Sequence, residues 1–571
     1  MKLAIVGMGP RGLSALESLL SKAGSAPDLD IVLFEKSSMA GYGHVYDVDQ
    51  PASNWVNTSE QGLRKLKGRP SMRIHGVEIP GFPAYAGSDY FHTPSDAEET
   101  YPDVYPARPQ MGAYLKERFE TMADALEGAD WFRIKREEVV AIKPEAEGLC
   151  LETATGGQFV VDEALLTIGH QPTYDDEQLD TWLKHHLAYP DLILCPGAYP
   201  VRSVLARVEP RKPAIIGMRG FGLSAIDVIR SLVTAYGGRF EMAEHHTEAS
   251  QYFPGSELLR IVPFTLDGLP VVPKPLHQAI DQTFAPSAEQ LDLLRIQLMI
   301  GIEARPDSHH PLLQGVIDLA ADRYLDLTDK DHLDADAVRK AAERWVLHDD
   351  FTPDLITDPT LPVLEIMELH IAMALGKKAP NLDYVIGQVW RHCQPVFNEV
   401  FSFCDLPDQV MADIVHTTER IKRYSAGPPV ASIQQMVLLA RAGVLDLSFM
   451  HNPDIFLSSE GWTLESDGQS VNTSCMINTV VDPPKLLEVR SPLVRQLLRD
   501  DAIRARHETL GIDTKSNGQV LSDRPGTNLL IYLLGRLAKG SVIGVDSIVE
   551  SFGQRIDDWA EECARRMKSY L

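Results

Sequence analysis

The sequence predicts an α/β protein with two Rossmann-like folds and an inserted, mostly helical subdomain. Three observations support this fold class. A strand, a glycine-rich turn and a helix occupy residues 3–20, a similar arrangement recurs at residues 214–233, and residues 311–425 show mainly helical patterns. Because strands that alternate with helices are typical of parallel sheets, the two glycine-rich turns predict two such sheets.

The first motif lies at residues 3–35. A short apolar run at residues 3–6 predicts a buried parallel strand and leads directly into Gly7-x-Gly9-Pro10-Arg11-Gly12. Gly7 permits a tight turn, Gly9 leaves room for a pyrophosphate, and Gly12 lets helix and strand approach closely. The helix N-terminus then offers free N–H groups to phosphate. A second apolar run at residues 31–34 ends in Glu35, which can accept hydrogen bonds from a ribose.

Strand, turn, helix, strand and acid in this order predict a dinucleotide site. A tight structural turn without a ligand is the alternative. A first strand at the N-terminus is typical of FAD enzymes with two dinucleotide-binding folds, so we assign this site to FAD. The predicted contacts are Gly7, Gly9, Pro10, Arg11, Gly12, Glu35 and Lys36. Gly169, which follows an apolar run at residues 165–168, is expected to lie beside the same cofactor.

The second motif resembles the first. Residues 6–17 and 216–227 are identical at six of twelve positions. The similarity predicts a nicotinamide nucleotide, NADPH or NADH, at Gly217, Arg219, Gly220, Gly222 and Ser224. The register stays open. Alignment with the first motif puts Arg219 at the middle glycine, whereas a shifted register gives Gly220-x-Gly222-x-x-Ala225 and a longer turn after the strand. A degenerate second site is the alternative.

These motifs divide the chain into four predicted segments. Residues 1–172 form the first part of the FAD-binding domain, residues 173–300 the NAD(P)-binding domain, residues 301–430 the helical insertion, and residues 431–571 the return to the FAD-binding domain. Residues 475–479 resemble the strand at 165–168, and residues 528–534 predict a further buried strand. The adjacent histidines at 185–186, 245–246 and 309–310 are interpreted as loop residues, and no metal site is predicted.

Composition limits the function classes. Lys and Arg number 54 against 80 Asp and Glu, a net charge of −26, which disfavours nucleic-acid and anionic membrane partners. The six cysteines include no CxxC pair, which predicts a reduced, cytoplasmic chain and disfavours dithiol flavin reductases. No apolar run is long enough for a membrane span. The sequence leaves the oligomeric state open, and a homo-oligomer is one of the alternatives.

Several motifs together resemble a known family. They are Gly7-x-Gly9-Pro10-Arg11-Gly12, Trp55-Val56-Asn57, residues 105–108 with 112–115, residues 222–225, and residues 252–257 with 268–270. The chain resembles the FAD/NAD(P)-binding flavoproteins that include bacterial FAD-dependent urate hydroxylase and the aspartate N-hydroxylating, nitrosuccinate-forming monooxygenases. It is more loosely similar to the class B N-hydroxylating monooxygenases. One departure is Thr265-Leu266-Asp267, where relatives often carry Ser-Arg, and this leaves NADPH or NADH open.

The resemblance implies reduction by NAD(P)H, activation of O2 and monooxygenation of a small polar substrate, such as an amino-acid nitrogen. It places Asn57 near the isoalloxazine ring. The competing hypotheses are an FAD-dependent dehydrogenase or oxidase, and a non-catalytic flavin- or nucleotide-binding sensor or scaffold. The sequence singles out no catalytic base. His44, Tyr46, Asn57 and Arg108 are interpreted as packing or cofactor contacts rather than proton-transfer groups.

Overall fold

A computed structural model describes residues 1–24, 29–87, 101–145, 148–208, 214–243, 247–328, 333–524 and 529–569. His245 and His246 therefore lie outside the described residues, as does residue 528 at the start of the predicted strand at 528–534. No helix among the described residues combines the length and apolar character needed to cross a membrane. Within the same parts of the chain, no three His, Cys, Asp or Glu side chains are grouped to hold a metal ion.

Nineteen strands are found in the described residues, and they form two parallel sheets and four smaller antiparallel ones. In chain order they are β1 (Lys2–Val6), β2 (Asp30–Phe34), β3 (Met72–Ile74), β4 (Val77–Ile79), β5 (Phe132–Lys135), β6 (Val139–Glu145), β7 (Gly148–Thr153), β8 (Gln158–Val161), β9 (Glu163–Leu166), β10 (Ile193–Cys195), β11 (Ala214–Arg219), β12 (Arg239–Met242), β13 (Ala249–Phe253), β14 (Leu259–Phe264), β15 (Asp454–Ser458), β16 (Gly461–Ser466), β17 (Gln469–Thr473), β18 (Cys475–Asn478) and β19 (Ile531–Leu533).

The described residues also form sixteen α-helices. They are α1 (Pro10–Ala23), α2 (Glu60–Leu63), α3 (Arg108–Ala125), α4 (Glu177–Ala188), α5 (Val201–Arg207), α6 (Leu223–Ala235), α7 (Gln278–Gln282), α8 (Ala288–Glu303), α9 (His310–Leu327), α10 (Ala335–His348), α11 (Val363–Ala374), α12 (Leu382–Phe401), α13 (Asp408–Ser425), α14 (Val430–Arg441), α15 (Pro492–Arg499) and α16 (Gln554–Ser569). The prediction that the histidine pairs lie in loops is wrong for His185 and His186, which are inside α4, and for His310, which begins α9.

The first parallel sheet has the order β19-β9-β1-β2-β5. One face packs against α1, α3 and α16, and the other face packs against the antiparallel sheet β6-β7-β8 and α15. The inner strands are apolar on both faces, as the run at residues 3–6 predicted; Leu3, Ala4 and Ile5 have no exposed surface. The predicted C-terminal strand is confirmed as β19, at the edge beside β9.

The second parallel sheet has the order β10-β18-β11-β14. Its β18 is the segment predicted to resemble residues 165–168, and it pairs with β11 rather than with the first sheet. The antiparallel sheet β15-β16-β17 and α4 cover one face through Trp182, Trp462 and Met476. The chain therefore returns to the first sheet only after Asn478, not at the predicted boundary of 431, because β18 completes the second sheet and β15, β16 and β17 cover it.

The helical subdomain has its own core. Helices α8 to α13 enclose a continuous apolar cluster, with α12 near its centre, where Tyr384, Val385 and Val389 are fully buried. The segment predicted to be mainly helical, residues 311–425, contains α10, α11 and α12. Together, two parallel sheets and this subdomain confirm the predicted α/β fold class.

Helix α6 of the second fold docks on the first fold through buried charged groups. Arg108, at the start of α3, donates from Nε to Asp227 Oδ2 at 3.0 Å, and Tyr199 Oη donates to the same oxygen at 2.6 Å. One turn later, the Arg230 guanidinium lies 3.9 Å from the centre of the Trp55 ring. Arg108 therefore acts at an interdomain contact, which agrees with its interpretation as a packing residue.

We expect Arg108→Met to destabilise this contact strongly. The side chains of Arg108 and Asp227 are only 10% and 4% exposed, so loss of the cation leaves a buried carboxylate without its partner. Breaking such a pair costs about 3–5 kcal/mol. In chemical denaturation, the first transition of Arg108→Met should have its midpoint at a lower denaturant concentration than that of the wild type. Arg133→Met is the control, because the Arg133–Asp30 pair is exposed and worth at most about 1 kcal/mol. Equal midpoints for the two variants would contradict the expectation.

Candidate functional site: two glycine-rich turns

The first turn connects β1 to α1 in the geometry that the motif predicted. Gly7 has φ +93°, and its N–H donates to Phe34 O at 2.8 Å. A Cβ on Gly12 would lie 2.4 Å from Gly7 O, so helix and turn touch there. A Cβ on Gly9 would meet no protein atom within 4 Å. Gly9 is therefore not required for packing, and the space beside it is open to a phosphate at the helix N-terminus.

Glu35 is held at the end of β2 by the same turn. Its Oε2 accepts from Met8 N at 2.8 Å, and its Oε1 accepts from Ser37 N at 2.9 Å. Ser37 Oγ also donates to Oε1 at 2.8 Å, so Oε2 keeps the second lone pair that can accept from a ribose hydroxyl. Lys36 points elsewhere and donates to Glu138 Oε1 at 3.0 Å in an exposed ion pair. The contacts favour a cofactor role for Glu35 and provide none for Lys36.

We expect Glu35→Gln to weaken FAD binding by about 1–3 kcal/mol, the range for losing a charged hydrogen-bond acceptor. The amide keeps the size of the side chain but cannot accept with both of its terminal groups. The measurement is titration of the apoprotein with FAD. Lys36→Gln is the matched control, since its partner is Glu138, and it should leave the Kd for FAD within about twofold. A Kd in Glu35→Gln equal to that of the wild type would exclude a contact with FAD.

The carboxyl end of β9 closes the first turn from the other side. Thr167 N donates to Val6 O at 2.9 Å, and a Cβ on Gly7 would lie 2.7 Å from Thr167 O. Gly169 follows with φ +62° and open space around it. No motif in the sequence singles out Thr167, although it lies inside the apolar run at residues 165–168 that predicted the strand.

Arg11 and Pro10 begin α1. The Arg11 guanidinium turns toward the C-terminal segment and donates to Val545 O at 3.2 Å. Burial, with Arg555 nearby, lowers the pKa of Arg11 to about 10. It lines a small cavity with Gly535, Leu534 and Glu550. These contacts give Arg11 a role in fixing the C-terminal segment against the turn.

A second group of charged residues surrounds the end of β19. Arg536 donates from Nη1 to His170 Nε2 at 2.8 Å, and burial together with Arg536 lowers the pKa of His170 to about 4. Lys422 of α13 lies 2.8 Å from Asp546, and Lys539 lies 2.6 Å from Glu419. These ion pairs join the segment after β19 to α13, a contact that no motif in the sequence predicts.

The second turn has the shifted register. Strand β11 continues through Gly217 to Arg219, and the turn begins at Gly220, whose φ is +99°. Gly220 N donates to Phe264 O at 2.8 Å, as Gly7 N does to Phe34 O. Gly222 precedes α6 with φ −96°, close to the −77° of Gly9 before α1, and a Cβ on it would also meet nothing within 4 Å. Gly220, Gly222 and Ala225 therefore correspond to Gly7, Gly9 and Gly12.

Arg219 is the counterpart of Val6, not of the middle glycine. Thr479 N donates to Arg219 O at 2.8 Å, as Thr167 N does to Val6 O. The Arg219 side chain pairs with Asp176 at 2.6 Å, beside the N-terminus of α4. Of the two registers that the sequence left open, the one that puts Arg219 at the middle glycine is therefore wrong. Gly217 is a strand residue packed on Met476, and its predicted place in the turn is also wrong.

Ser224 lies in the first turn of α6. The position that corresponds to Glu35 is held by Thr265, the residue after β14. A neutral threonine there neither binds a 2′-hydroxyl as a carboxylate does nor repels a 2′-phosphate. The turn thus fits a nicotinamide nucleotide of either kind.

Asn57 lies where the first fold meets the helical subdomain. Its Nδ2 donates to Ala426 O at 2.9 Å, and its Oδ1 is buried without a hydrogen-bond partner among the described residues. Its backbone carbonyl accepts from Lys274 Nζ at 2.7 Å. The sequence analysis missed Lys274, and no local motif around it points to this contact.

The first fold is similar to known proteins. Residues 4–171 match a family model described as FAD-NAD(P)-binding, a segment that spans β1 to β9. The predicted resemblance is confirmed. This FAD-NAD(P)-binding segment contains the first turn, Glu35 and Asn57.

Two curated relatives extend the similarity. Nitrosuccinic acid synthase npaA of Aspergillus oryzae is 24% identical over 92% of this chain and 85% of its own length. L-Aspartate N-monooxygenase (nitrosuccinate-forming) of Streptomyces davaonensis is 29% identical over 41% of this chain and 39% of its own length. The chain thus aligns with nearly all of the fungal relative and with about two fifths of the bacterial one.

Two solved structures are similar along the chain. The reduced form of ornithine hydroxylase from Pseudomonas aeruginosa gives a TM-score of 0.47 at 12% identity, covering 99% of this chain and 98% of that one. Cyclohexanone monooxygenase from Rhodococcus bound to NADP+ gives a TM-score of 0.43 at 11% identity, covering 100% of this chain and 84% of that one. At these values the similarity carries no functional assignment.

Proposed function

We propose that this protein is an FAD-dependent monooxygenase that uses NAD(P)H and O2 to hydroxylate an amino-acid nitrogen, with L-aspartate as the first substrate to test. The observation that carries the proposal is the pair of equivalent turns, each with an unobstructed middle glycine at a helix N-terminus. Two such turns in one chain fit one flavin and one nicotinamide nucleotide. The names of the relatives supply the amino-acid substrate class.

The chain's own residues divide the work between the two folds. Gly7, Gly9, Pro10, Gly12 and Glu35 hold FAD, with Gly169 beside it. Gly220, Gly222 and Ser224 hold the nicotinamide nucleotide at the second turn. When bound, FAD supplies hydride acceptance and O2 activation. The protein has to orient the substrate nitrogen and exclude water, and the junction around Asn57, closed by Ala426 of the helical subdomain, supports that task.

The test is aerobic turnover of the FAD-loaded protein with NADPH and, separately, NADH. Product mass and hydrogen peroxide are measured together, with and without L-aspartate. We expect L-aspartate to stimulate nucleotide oxidation and to gain the mass of one oxygen atom, with little extra peroxide. Oxidation that yields only peroxide for every amino acid tried would instead identify an oxidase. If neither nucleotide reduces the flavin, the result would favour the hypothesis of a non-catalytic sensor or scaffold.

A further inference from the structure

Lys274 lies where the first fold, the second fold and the helical subdomain meet. Lys274 follows β14, and its Nζ donates to Asn57 O of the first fold at 2.7 Å. Its own N–H donates to Pro428 O, after α13, at 3.0 Å. The ring of Tyr105 lies 5.8 Å from the ammonium group. Such junctions between domains are common positions for small-molecule sites.

The nearby acids do not neutralise Lys274. Asp281 of α7 is taken by Arg391 of α12, and it also lies 3.2 Å from His392 Nε2. Within the described residues, no carboxylate lies at ion-pair distance from Lys274 Nζ, and Asp103 acts on it only from farther away. The lysine thus has one neutral hydrogen-bond acceptor and room for further donation, since an ammonium group has three N–H bonds.

The environment penalises this charge. Burial, and then Arg391, lowers the pKa of Lys274 to about 7, against the opposing effect of Asp103 and Asp281. Burial likewise raises the pKa of Asp103 to about 6. A partly buried ammonium group without a counterion, such as that of Lys274, is stabilised by any anion that reaches it. In a chain of net charge −26, an anionic ligand needs a local cation of this kind.

We propose that Lys274 Nζ binds a carboxylate of the substrate at the junction with Asn57 and Tyr105, and that the protein selects amino acids by this carboxylate. This inference rests on the proposed function and names the residue that recognises its substrate. A phosphate is less suitable as the occupant, because the two helix N-termini already offer phosphate sites at Gly9 and Gly222. Hydrogen bonds from Tyr384 Oη to Pro273 O at 3.2 Å and from Asn57 Nδ2 to Ala426 O fix the segments that carry Lys274 and Asn57.

The binding of a carboxylate should depend on pH in a defined direction. The anion binds the protonated lysine and raises its pKa in the complex. Affinity is therefore full below about pH 7 and falls, by up to tenfold per pH unit, as the pH rises above the pKa of the empty site. The charged groups that act on Lys274 from neighbouring elements are Arg391, Asp103 and Asp281, and the Tyr105 ring lies beside it. Tyr384 and His392 interact in turn with Asp281.

The experiment measures the KM for L-aspartate and the calorimetric Kd for succinate, a dicarboxylate without an amine. The variants are Lys274→Met, Lys274→Arg, and Lys378→Met as a control with the same charge change at an exposed site. We expect Lys274→Met to raise both constants at least tenfold and to remove the pH dependence of the succinate Kd. Lys274→Arg should recover part of the affinity, and Lys378→Met should match the wild type. In Lys378→Met, the rate of anaerobic flavin reduction without amino acid should also stay within about twofold of the wild-type rate.

Unchanged constants in Lys274→Met would overturn the proposal. If that variant does not fold with FAD, the wild type decides, because a succinate Kd that is constant from about pH 6 to 9 would equally overturn it. Failure of the proposed function gives a different result. The wild type would then form no hydroxylated L-aspartate, while the succinate titration would still report whether Lys274 binds a carboxylate.

Discussion

Gly9→Val should yield a folded protein that purifies without FAD. A Cβ at this position meets no protein atom within 4 Å, and the backbone, at φ −77° and ψ −169°, lies in the extended region that valine prefers. The added methyl groups instead project into the space where the motif places the pyrophosphate. The FAD content, measured by flavin absorbance, should be less than about a tenth of one FAD per chain. The far-ultraviolet circular dichroism spectrum should match that of the wild type.

The matched control for Gly9→Val is Gly222→Val, the same change at the equivalent position of the second turn. It should keep stoichiometric FAD. Full FAD content in Gly9→Val would show that the first turn does not hold the cofactor, even if the protein is flavin-dependent by another site.

Gly222→Val should slow anaerobic flavin reduction by NADPH or NADH at least tenfold. The Cβ again meets nothing in the protein, so the variant is expected to fold, and the side chain occupies the phosphate position before α6. Stopped-flow absorbance at saturating FAD measures the rate. Reduction by dithionite serves as the control, because it needs no nucleotide site, and it should be unchanged.

An unchanged NAD(P)H rate in Gly222→Val would mean that the second fold no longer binds a nucleotide. The sensor or scaffold hypothesis would then gain, unless another electron donor were found. A loss of FAD in this variant would instead show that the two folds depend on one another through the Arg108–Asp227 contact at α6.

The sequence by itself determined the first fold and the position of the first turn. The order of strand, glycines, helix and acid depends on neighbouring residues, and local geometry follows from it. The turn at Gly7, the end of β2 before Glu35, and the helices α10 to α12 all lie where the pattern predicted them. The same dependence on neighbouring residues explains why the sequence left the register of the second turn open. Residues 12–15 and 222–225 both read Gly-Leu-Ser-Ala, but the first Gly-Leu-Ser-Ala starts inside α1 and the second starts before α6.

Only the tertiary structure decided the register of the second turn, because the position of that turn depends on where β11 stops. The ladder fixes this point through the pairs Arg219–Phe264 and Arg219–Asn478, which join residues far apart in the chain. The same holds for β18, whose apolar sequence suits either parallel sheet, and for Lys274. A lone lysine carries no signal of its own; its contact with Asn57 and its distance from a counterion arise when three separate segments enclose it.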